Sequence, residues 1–367
     1  MRSLPVIAAI LVAACTAPST APAPADGASA PGLRATFILA NAAGLVALDS
    51  SCRALGRIVE LQPVEAPSTP ALHPDGSRLA FAVTRDSATA GFGTDIVEVK
   101  LDGTGLRTLL EHDAENVFYA SPRYDPGGTA IYVHRRAAVI RDGAYVGNED
   151  TIERVDLATG QRRTVVRDAA DPAISPNGAR LVYVKLRDSQ PETLWTASLP
   201  EGADARPFFR ANETFFWVMT PRFSPSGDRV LFSAAGRALG GEAAPPLQRP
   251  GVHARELGSR GMATTAVYSE VLRGGLRPPA DTPRTVGKLA HLGMPSDLFI
   301  SPADGSRMEV ATQTGDDAIP TWSPDGKRIA YVGVGTFAIL TLADGSTEVC
   351  AQGEDFFFGD PIWVKER

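Results

Sequence analysis

The sequence predicts an all-β fold: a six-bladed β-propeller of four-stranded antiparallel blades, closed by the C-terminal strand joining the N-terminal blade. Three observations carry this expectation. A tight-turn motif recurs along the chain, a second glycine turn follows each copy, and the two ends of the chain each hold part of a blade.

The motif is seen best in "PTWSPDGKRIAYV", from Pro320 to Val332. Pro324 presets φ at the first central position of a type I turn, Asp325 suits the second, and Gly326 takes the left-handed position that follows. The same grammar returns in "LHPDGSRLAFAV", "RYDPGGTAIYVH", "ISPNGARLVYVK" and "FSPSGDRVLFSA". The turn prolines Pro74, Pro126, Pro176, Pro225 and Pro324 lie about 50 residues apart three times and then about 99. A period of 40 to 50 residues with strand-type patterning marks an array of small sheets.

The second landmark is an apolar run ending in a Gly turn: "IVEVKLDGTG", "IERVDLATGQ", "LWTASLPEGA", "LFISPADGSR" and "FAILTLADGS". One such turn lies between Pro225 and Pro324, which favours a single repeat with a loop insertion at about 236–296 over a degenerate extra repeat. A weak extra hairpin inside the insertion stays open. Each repeat then reads as strands A to D, with the tight Pro-Gly turn between A and B. Strands B and C, such as "RLVYVK" and "FAILTL", are apolar on both faces, as expected of small sheets sandwiched between neighbours. Radial stacking of such sheets leaves only short, protected edges.

At the ends, residues 35–61 hold strands B, C and D without an A, while "DPIWV" at Asp360–Val364 holds an A with nothing after it. Joined, they complete the first blade.

"WSPDGKRIAYV" followed by "ILTLADGS" resembles the TolB-type propeller repeat, a WD-like repeat of bacterial periplasmic proteins and of the propeller domains of some serine peptidases. The resemblance covers about residues 35–367 and is weakest where "YDPGG" replaces "WSPDG". It implies the fold and protein partners near the membrane or peptidoglycan. It does not imply an activity, because function lives in sites grafted on folds.

Before the propeller come two other segments. Residues 1–15, "MRSLPVIAAILVAAC", pair Arg2 with a short apolar run and end on small residues before Cys15. Such a run suits a signal peptide rather than a bilayer span. The pattern resembles the bacterial lipoprotein signal, which implies lipidation of Cys15 and anchoring of an exported protein to a bacterial membrane, facing the periplasm or the cell exterior. An ordinary cleaved signal is the alternative. Residues 16–33 form a Pro/Ala/Ser-rich tether of low complexity, and residues 34–367 form the propeller.

Composition narrows function. The chain has 367 residues, 35 Gly, 29 Pro and a formal charge of −6, which fits a turn-rich single domain and argues against a nucleic-acid partner. The strings G-x-S-x-G and H-E-x-x-H are absent, as are calcium-loop, Walker and dinucleotide fingerprints. Neither a cofactor nor a metal is therefore expected. In an exported chain, Cys52 and Cys350 invite a disulfide across the closure. The opposing argument puts Cys52 at a C to D turn and Cys350 late in a D strand, at opposite faces, leaving two buried thiols.

The long loops collect on the face opposite the tight turns: 85–95, 135–151, the insertion and the D to A segments. Loops on a rigid scaffold commonly carry binding. The D to A segments supply a candidate binding rim of Phe118, Tyr119, Phe215, Phe216, Trp217, Phe356, Phe357 and Phe358, with Asp316, Asp317, Glu354 and Asp355 beside them. Aromatic anchors of this kind dominate many interfaces, although the same rings would also serve as wedges between blades. The insertion contains "TTAVYSEVLRGGL", with helical spacing, and reads as a lid, a docking arm or a decoration. The expected function is that of a monomeric, non-catalytic scaffold of the cell envelope binding a protein, peptide or glycan. The alternative is an exported lyase or hydrolase acting on carbohydrate or peptide at the central channel, which would require converging charged side chains there.

Overall fold

The computed structural model describes residues 31–41, 44–61, 67–211, 213–239, 296–312, 319–333, 336–352 and 360–365. After a 3-10 turn at Pro31–Arg34, the chain forms β1 (Phe37–Asn41), β2 (Gly44–Leu48) and β3 (Ala54–Glu60). Next come β4 (Pro67–Leu72), β5 (Arg78–Ser87), β6 (Gly91–Lys100), β7 (Arg107–Leu110), β8 (Val117–Tyr124), β9 (Ala130–Arg141), β10 (Ala144–Asp156) and β11 (Arg162–Arg167). Two further groups of four are β12 (Ala169–Ile174), β13 (Arg180–Arg187), β14 (Gln190–Ser198), β15 (Ala203–Pro207), and β16 (Glu213–Phe223), β17 (Arg229–Leu239), β18 (Asp297–Pro302), β19 (Glu309–Val310). The last are β20 (Ile319–Trp322), β21 (Arg328–Gly333), β22 (Thr336–Thr341), β23 (Thr347–Gln352) and β24 (Ile362–Trp363).

The arrangement is all-β and propeller-like. Four sheets have four strands: β24-β1-β2-β3, β12 to β15, β16 to β19 and β20 to β23. Strands β4 to β11 form one eight-stranded sheet instead of two separate blades. Its two antiparallel halves meet at a single parallel bridge, Thr94 with Phe118, because the inner strand β8 runs far enough to touch β6.

The repeated turns behave as their residues dictate. Gly76, Gly128, Gly178, Gly227 and Gly326 donate their N–H to the carbonyl three residues back at 2.8 to 3.0 Å, and all five have φ between 66° and 77°. In the three S-P-x-G turns, Ser175, Ser224 and Ser323 also accept the N–H of Arg180, Arg229 and Arg328 at 2.9 to 3.1 Å, which ties the turn to the strand it launches. Those arginines then reach the next unit. Arg180 donates to the Ala303 carbonyl and Arg229 to the Gly326 carbonyl, at 2.9 and 2.8 Å, while Arg229 and Arg328 stack over Trp322 and Trp363.

Strands that are apolar on both faces feed two cores at once. In β13, Leu181 and Tyr183 pack with Tyr132 and Ile152, while Val182 and Val184 pack with Phe215 and Phe232. Leu79, Phe81 and Val83 of β5 face one way, and Ala80 and Ala82 the other. Burying each large side chain contributes about 1.5–3 kcal/mol, so the sheets are held by the layers between them.

Two segments read as loops are strands. Residues 85–95 and 135–151 lie mostly within the β5–β6 and β9–β10 hairpins, whose registers continue to Ser87 with Gly91 and Arg141 with Ala144. The paired Arg135-Arg136 and Ala137-Ala138 of "HRRAAVIR", which break any period-two alternation, hid a regular ladder that leaves the body of the sheet and turns at Asp142-Gly143, both at positive φ.

The termini meet. Phe37 pairs with Trp363 and Ile38 with Ile362, and the Val364 N–H donates to the Thr36 carbonyl at 2.9 Å. Cys52 and Cys350 are joined in a disulfide with Cα atoms 5.4 Å apart. The objection from opposite faces fails because Cys350 is the fourth of six residues in β23, mid-strand rather than at its far end. Cys15, residues 1–30 and most of the insertion lie outside the described residues.

Candidate functional site

The inner strands carry a feature that the turn motif overshadows: an X-Pro pair four residues before each turn proline. Thr69-Pro70, Ser121-Pro122, Asp171-Pro172, Thr220-Pro221 and Ile319-Pro320 occupy this place, and Asp360-Pro361 is the counterpart at the C-terminal strand. A residue before proline is disfavoured in the right-handed helical region. Thr69, Ser121, Asp171 and Thr220 instead adopt φ of 45° to 51°, and at each the ladder to the next strand shifts register. Positive φ at such residues is uncommon and costs about 1–3 kcal/mol, so it persists only where surrounding contacts enforce it.

Those contacts run from one inner strand to the next. The Ser121 N–H donates to Thr69 Oγ1 at 3.0 Å, the Ser121 hydroxyl donates to Asp171 Oδ1, and the Thr220 N–H donates to Asp171 Oδ2 at 3.2 Å. The result is a polar belt across β4, β8, β12 and β16. It stops at Thr220, whose buried hydroxyl has no partner among the described residues. The strand beyond carries Ile319 at this place, which offers no side-chain acceptor or donor.

Two residues after the bulged position on β8 and β16 sit Arg123 and Arg222. Each folds back to donate to the carbonyl of its preceding proline, at 2.6 and 2.5 Å, and each extends a second nitrogen to one oxygen of Asp360. Three inner strands that are not sheet partners thus converge on one carboxylate. Asp360 is 4 % exposed. Burial alone would raise its pKa, but the two guanidiniums outweigh burial and hold it below the usual carboxylate value. Burial and the neighbouring Arg123 charge lower the Arg222 pKa, while Asp360 and Asp171 oppose them.

Chemically the cluster is saturated. Both Asp360 oxygens are occupied, so the carboxylate is a poor general base, and no histidine among the described residues is bonded to it. Among the described residues no group of three or more His, Cys, Asp or Glu side chains could hold a metal ion.

The predicted aromatic rim fares differently. Phe118, Tyr119 and Phe215 are not on a rim: all three are buried, Tyr119 against Val133 and Val155, and Phe215 in a cluster with Phe209, Phe232 and Phe299. They lie within β8 and β16 rather than in loops, because the inner strands begin four or more residues before the bulge. Phe216 and Trp217 are half-buried. Phe356, Phe357, Phe358, Asp316, Asp317, Glu354 and Asp355 lie outside the described residues.

The loop face is instead built around the β9–β10 hairpin. On one side Asp150 accepts from His134 Nε2 at 2.8 Å, Arg136 Nε at 2.6 Å and the Ser189 hydroxyl at 2.7 Å. On the other, Asp113 accepts from Arg162 at 3.0 Å and Arg135 at 3.4 Å, and Arg162 also donates to the Tyr119 hydroxyl. Beyond these braces the tip exposes Ile140, Tyr145 and Val146. The available sequence signal was the pairing of Arg135-Arg136 with Glu149-Asp150 at the base of a segment that carries Ile140, Tyr145 and Val146 around an Asp-Gly turn.

No known family profile matches the chain. It is 26 % identical over 222 residues to an uncharacterized peptidase, YuxL, of Bacillus subtilis strain 168, a match covering 59 % of this chain and 29 % of that protein. The chain therefore spans under a third of that relative's length. Its fold is that of TolB from Acinetobacter baumannii, with TM-score 0.54, 13 % identity, and 89 % of this chain and 65 % of that one covered. A putative TolB from Agrobacterium tumefaciens gives 0.51, 12 %, 89 % and 93 %. A chain of the nidogen/laminin complex gives 0.56, 11 %, 89 % and 96 %.

Proposed function

We infer that the chain is a closed six-bladed propeller acting as a non-catalytic binding scaffold of the cell envelope. The eight-stranded sheet is taken as two blades fused at one bridge. In support of closure, the inner strands contact one another in the order β4, β8, β12, β16, β20, β24, and β24 contacts β4 again. The observation that carries the scaffold reading is the Arg123–Asp360–Arg222 cluster. Charges do converge on the axis, but they satisfy one another and lock the ring instead of standing ready for a substrate.

Binding is assigned to the loop face, where the braced β9–β10 hairpin presents its tip. The chain enters the fold on the opposite face, since Gly32 lies against the Leu101 backbone beside the β6–β7 turn. With Cys15 lipidated, the tight-turn face would lie toward the membrane and the hairpin face away from it. The partner is a protein, peptide or glycan of the envelope.

A second reading, an exported enzyme with its site in the channel, is favoured by a different group: the buried hydroxyl of Thr220, which has no partner among the described residues, while the backbone N–H of that residue is bonded to Asp171. Photo-crosslinking in cells from position 145 on the hairpin and position 177 on the turn face distinguishes them. The scaffold reading expects a discrete adduct from position 145 alone. Adducts from both positions or neither, or substrate turnover abolished by Asp171→Asn, would refute it.

A further inference from the structure

Near the base of the β9–β10 hairpin, two oxygens on one strand face are left without hydrogen bonds. Glu153 stands on β10 two residues from Thr151, and alternation along the strand puts both on the same face. In the ladders Thr151 lies directly opposite Arg135, Arg135 opposite Tyr119, and Arg162 of β11 opposite Val155, so these side chains share that face. Glu153 Oε2 is buried with no hydrogen-bond partner among the described residues, and Oε1 is 3.9 Å from Arg135 Nε, an ionic contact too long for a hydrogen bond. The Thr151 hydroxyl, in a residue only 2 % exposed, is likewise unpartnered among the described residues.

A buried polar group without a partner costs about 1–3 kcal/mol, so two neighbouring ones call for an explanation. The arginine between the carboxyls supplies it. Arg135 Nη2 donates to Asp113 at 3.4 Å, and Asp113 also receives Arg162 at 3.0 Å. One guanidinium thus stands between two carboxyls, bonded to Asp113 and in ionic contact with Glu153. The charged groups facing Glu153 are Arg135 from β9, Arg162 from β11, Asp113 from the segment before β8 and Glu149 from β10 itself. The Tyr119 hydroxyl of β8 accepts from Arg162, and β5 to β7 contribute the apolar Ala82, Ile96 and Leu110 to the core on this side. Burial, reinforced by Asp113 and Glu149, outweighs the two arginines and raises the Glu153 carboxyl above its ordinary 4.5. A raised carboxyl holds its proton more tightly in the folded chain. What the neutral form stabilises is therefore complete below 4.5 and is lost as pH rises through the folded value.

We propose that Glu153 is a proton-controlled switch for Arg135. With the carboxyl protonated, Arg135 stays on Asp113. With it ionised, the carboxylate draws Arg135 Nε and the Thr151 hydroxyl as donors, and Asp113 keeps Arg162 alone. The contact of 3.9 Å needs to shorten by only about 1 Å to become a charge-assisted hydrogen bond. The effect reaches the hairpin, because the segment that carries Asp113 also offers the Asn116 carbonyl to the Ala138 N–H at 3.1 Å. Ionisation frees the hairpin base from that segment. Control of binding by this switch rests on the hairpin reading above, whereas the switch itself is a property of the free chain and is tested there.

The test follows the Glu153 ¹³Cδ signal, the Arg135 ¹⁵Nε signal and amide exchange at Ala138 in the labelled full chain, between about pH 4 and pH 8. The first signal is assigned by its loss in Glu153→Gln and the second by its loss in Arg135→Lys. The two signals should move together with one midpoint above 4.5. Ala138 exchange, corrected for its intrinsic pH dependence, should quicken by about 3- to 10-fold over the same range. Glu153→Gln keeps the shape of the neutral acid, so the responses of Arg135 and Ala138 should vanish in it. Thr151→Val removes a donor that only the ionised form uses and should move the shared midpoint to higher pH. None of these readouts needs a partner, so failure here and failure of the hairpin reading are separate results. An Arg135 signal indifferent to Glu153, Ala138 exchange without the step, or a pH response surviving in Glu153→Gln would overturn the proposal.

Discussion

Arg222 and Asp360, 138 residues apart in the chain, are ion-paired between inner strands, and the Asp360 oxygen left over is taken by Arg123. The last described strand is therefore keyed into the molecule by charge as well as by its short ladder to β1.

Asp360→Asn should destabilise the protein by about 3–5 kcal/mol in urea unfolding at neutral pH, because two buried guanidiniums lose their counter-charge. Removing the cluster whole, with Arg123→Met, Arg222→Met and Asp360→Leu together, should cost less than the single change.

The pH dependence follows from the direction of the shift. The folded pKa of Asp360 lies below the ordinary carboxylate value of 3.8, so its contribution is complete above that value and is lost as pH falls through the folded one. Asp150 behaves likewise: burial opposes ionisation, but the His134 bond and the Arg136 charge prevail and hold its pKa low. Unfolding midpoints should drop steeply below about pH 4 in the wild type and less steeply in Asp150→Asn.

Reduction of Cys52–Cys350 should lower stability by about 2–5 kcal/mol, since the bridge closes a very long loop. Cys52→Ser with Cys350→Ser should reproduce the loss without reductant, as measured by thermal unfolding.

Phe215→Ala should cost about 3–5 kcal/mol because the ring fills a core among Phe209, Phe232 and Phe299. The neighbouring Phe216→Ala should cost clearly less. Equal and small effects would return Phe215 to a surface role.

How much of this was legible depends on whether a residue's role is local. Pro324, Asp325 and Gly326 announce their turn because φ preferences act within four residues, and the recurrence of that turn exposed the repeats. Leu181 and Val182 announced a strand buried on both faces. The keyed cluster was not legible, because Arg123, Arg222 and Asp360 are ordinary charged residues until the fold brings three distant strands together. A local signal lay beside them: the X-Pro pairs at Ser121, Asp171 and Thr220, at a constant four-residue offset from each turn proline. Phe118, Tyr119 and Phe215 were misassigned because composition cannot distinguish an aromatic loop from the start of an inner strand.

The most direct test of the proposed closure of the ring is hydrogen exchange at Phe37, Ile38 and Leu39 in the full chain and in a chain ending at residue 359. The account predicts strong protection in the full chain, and its loss from β1 together with a lower unfolding midpoint in the truncated one. Equal protection and equal midpoints in the two proteins would contradict it.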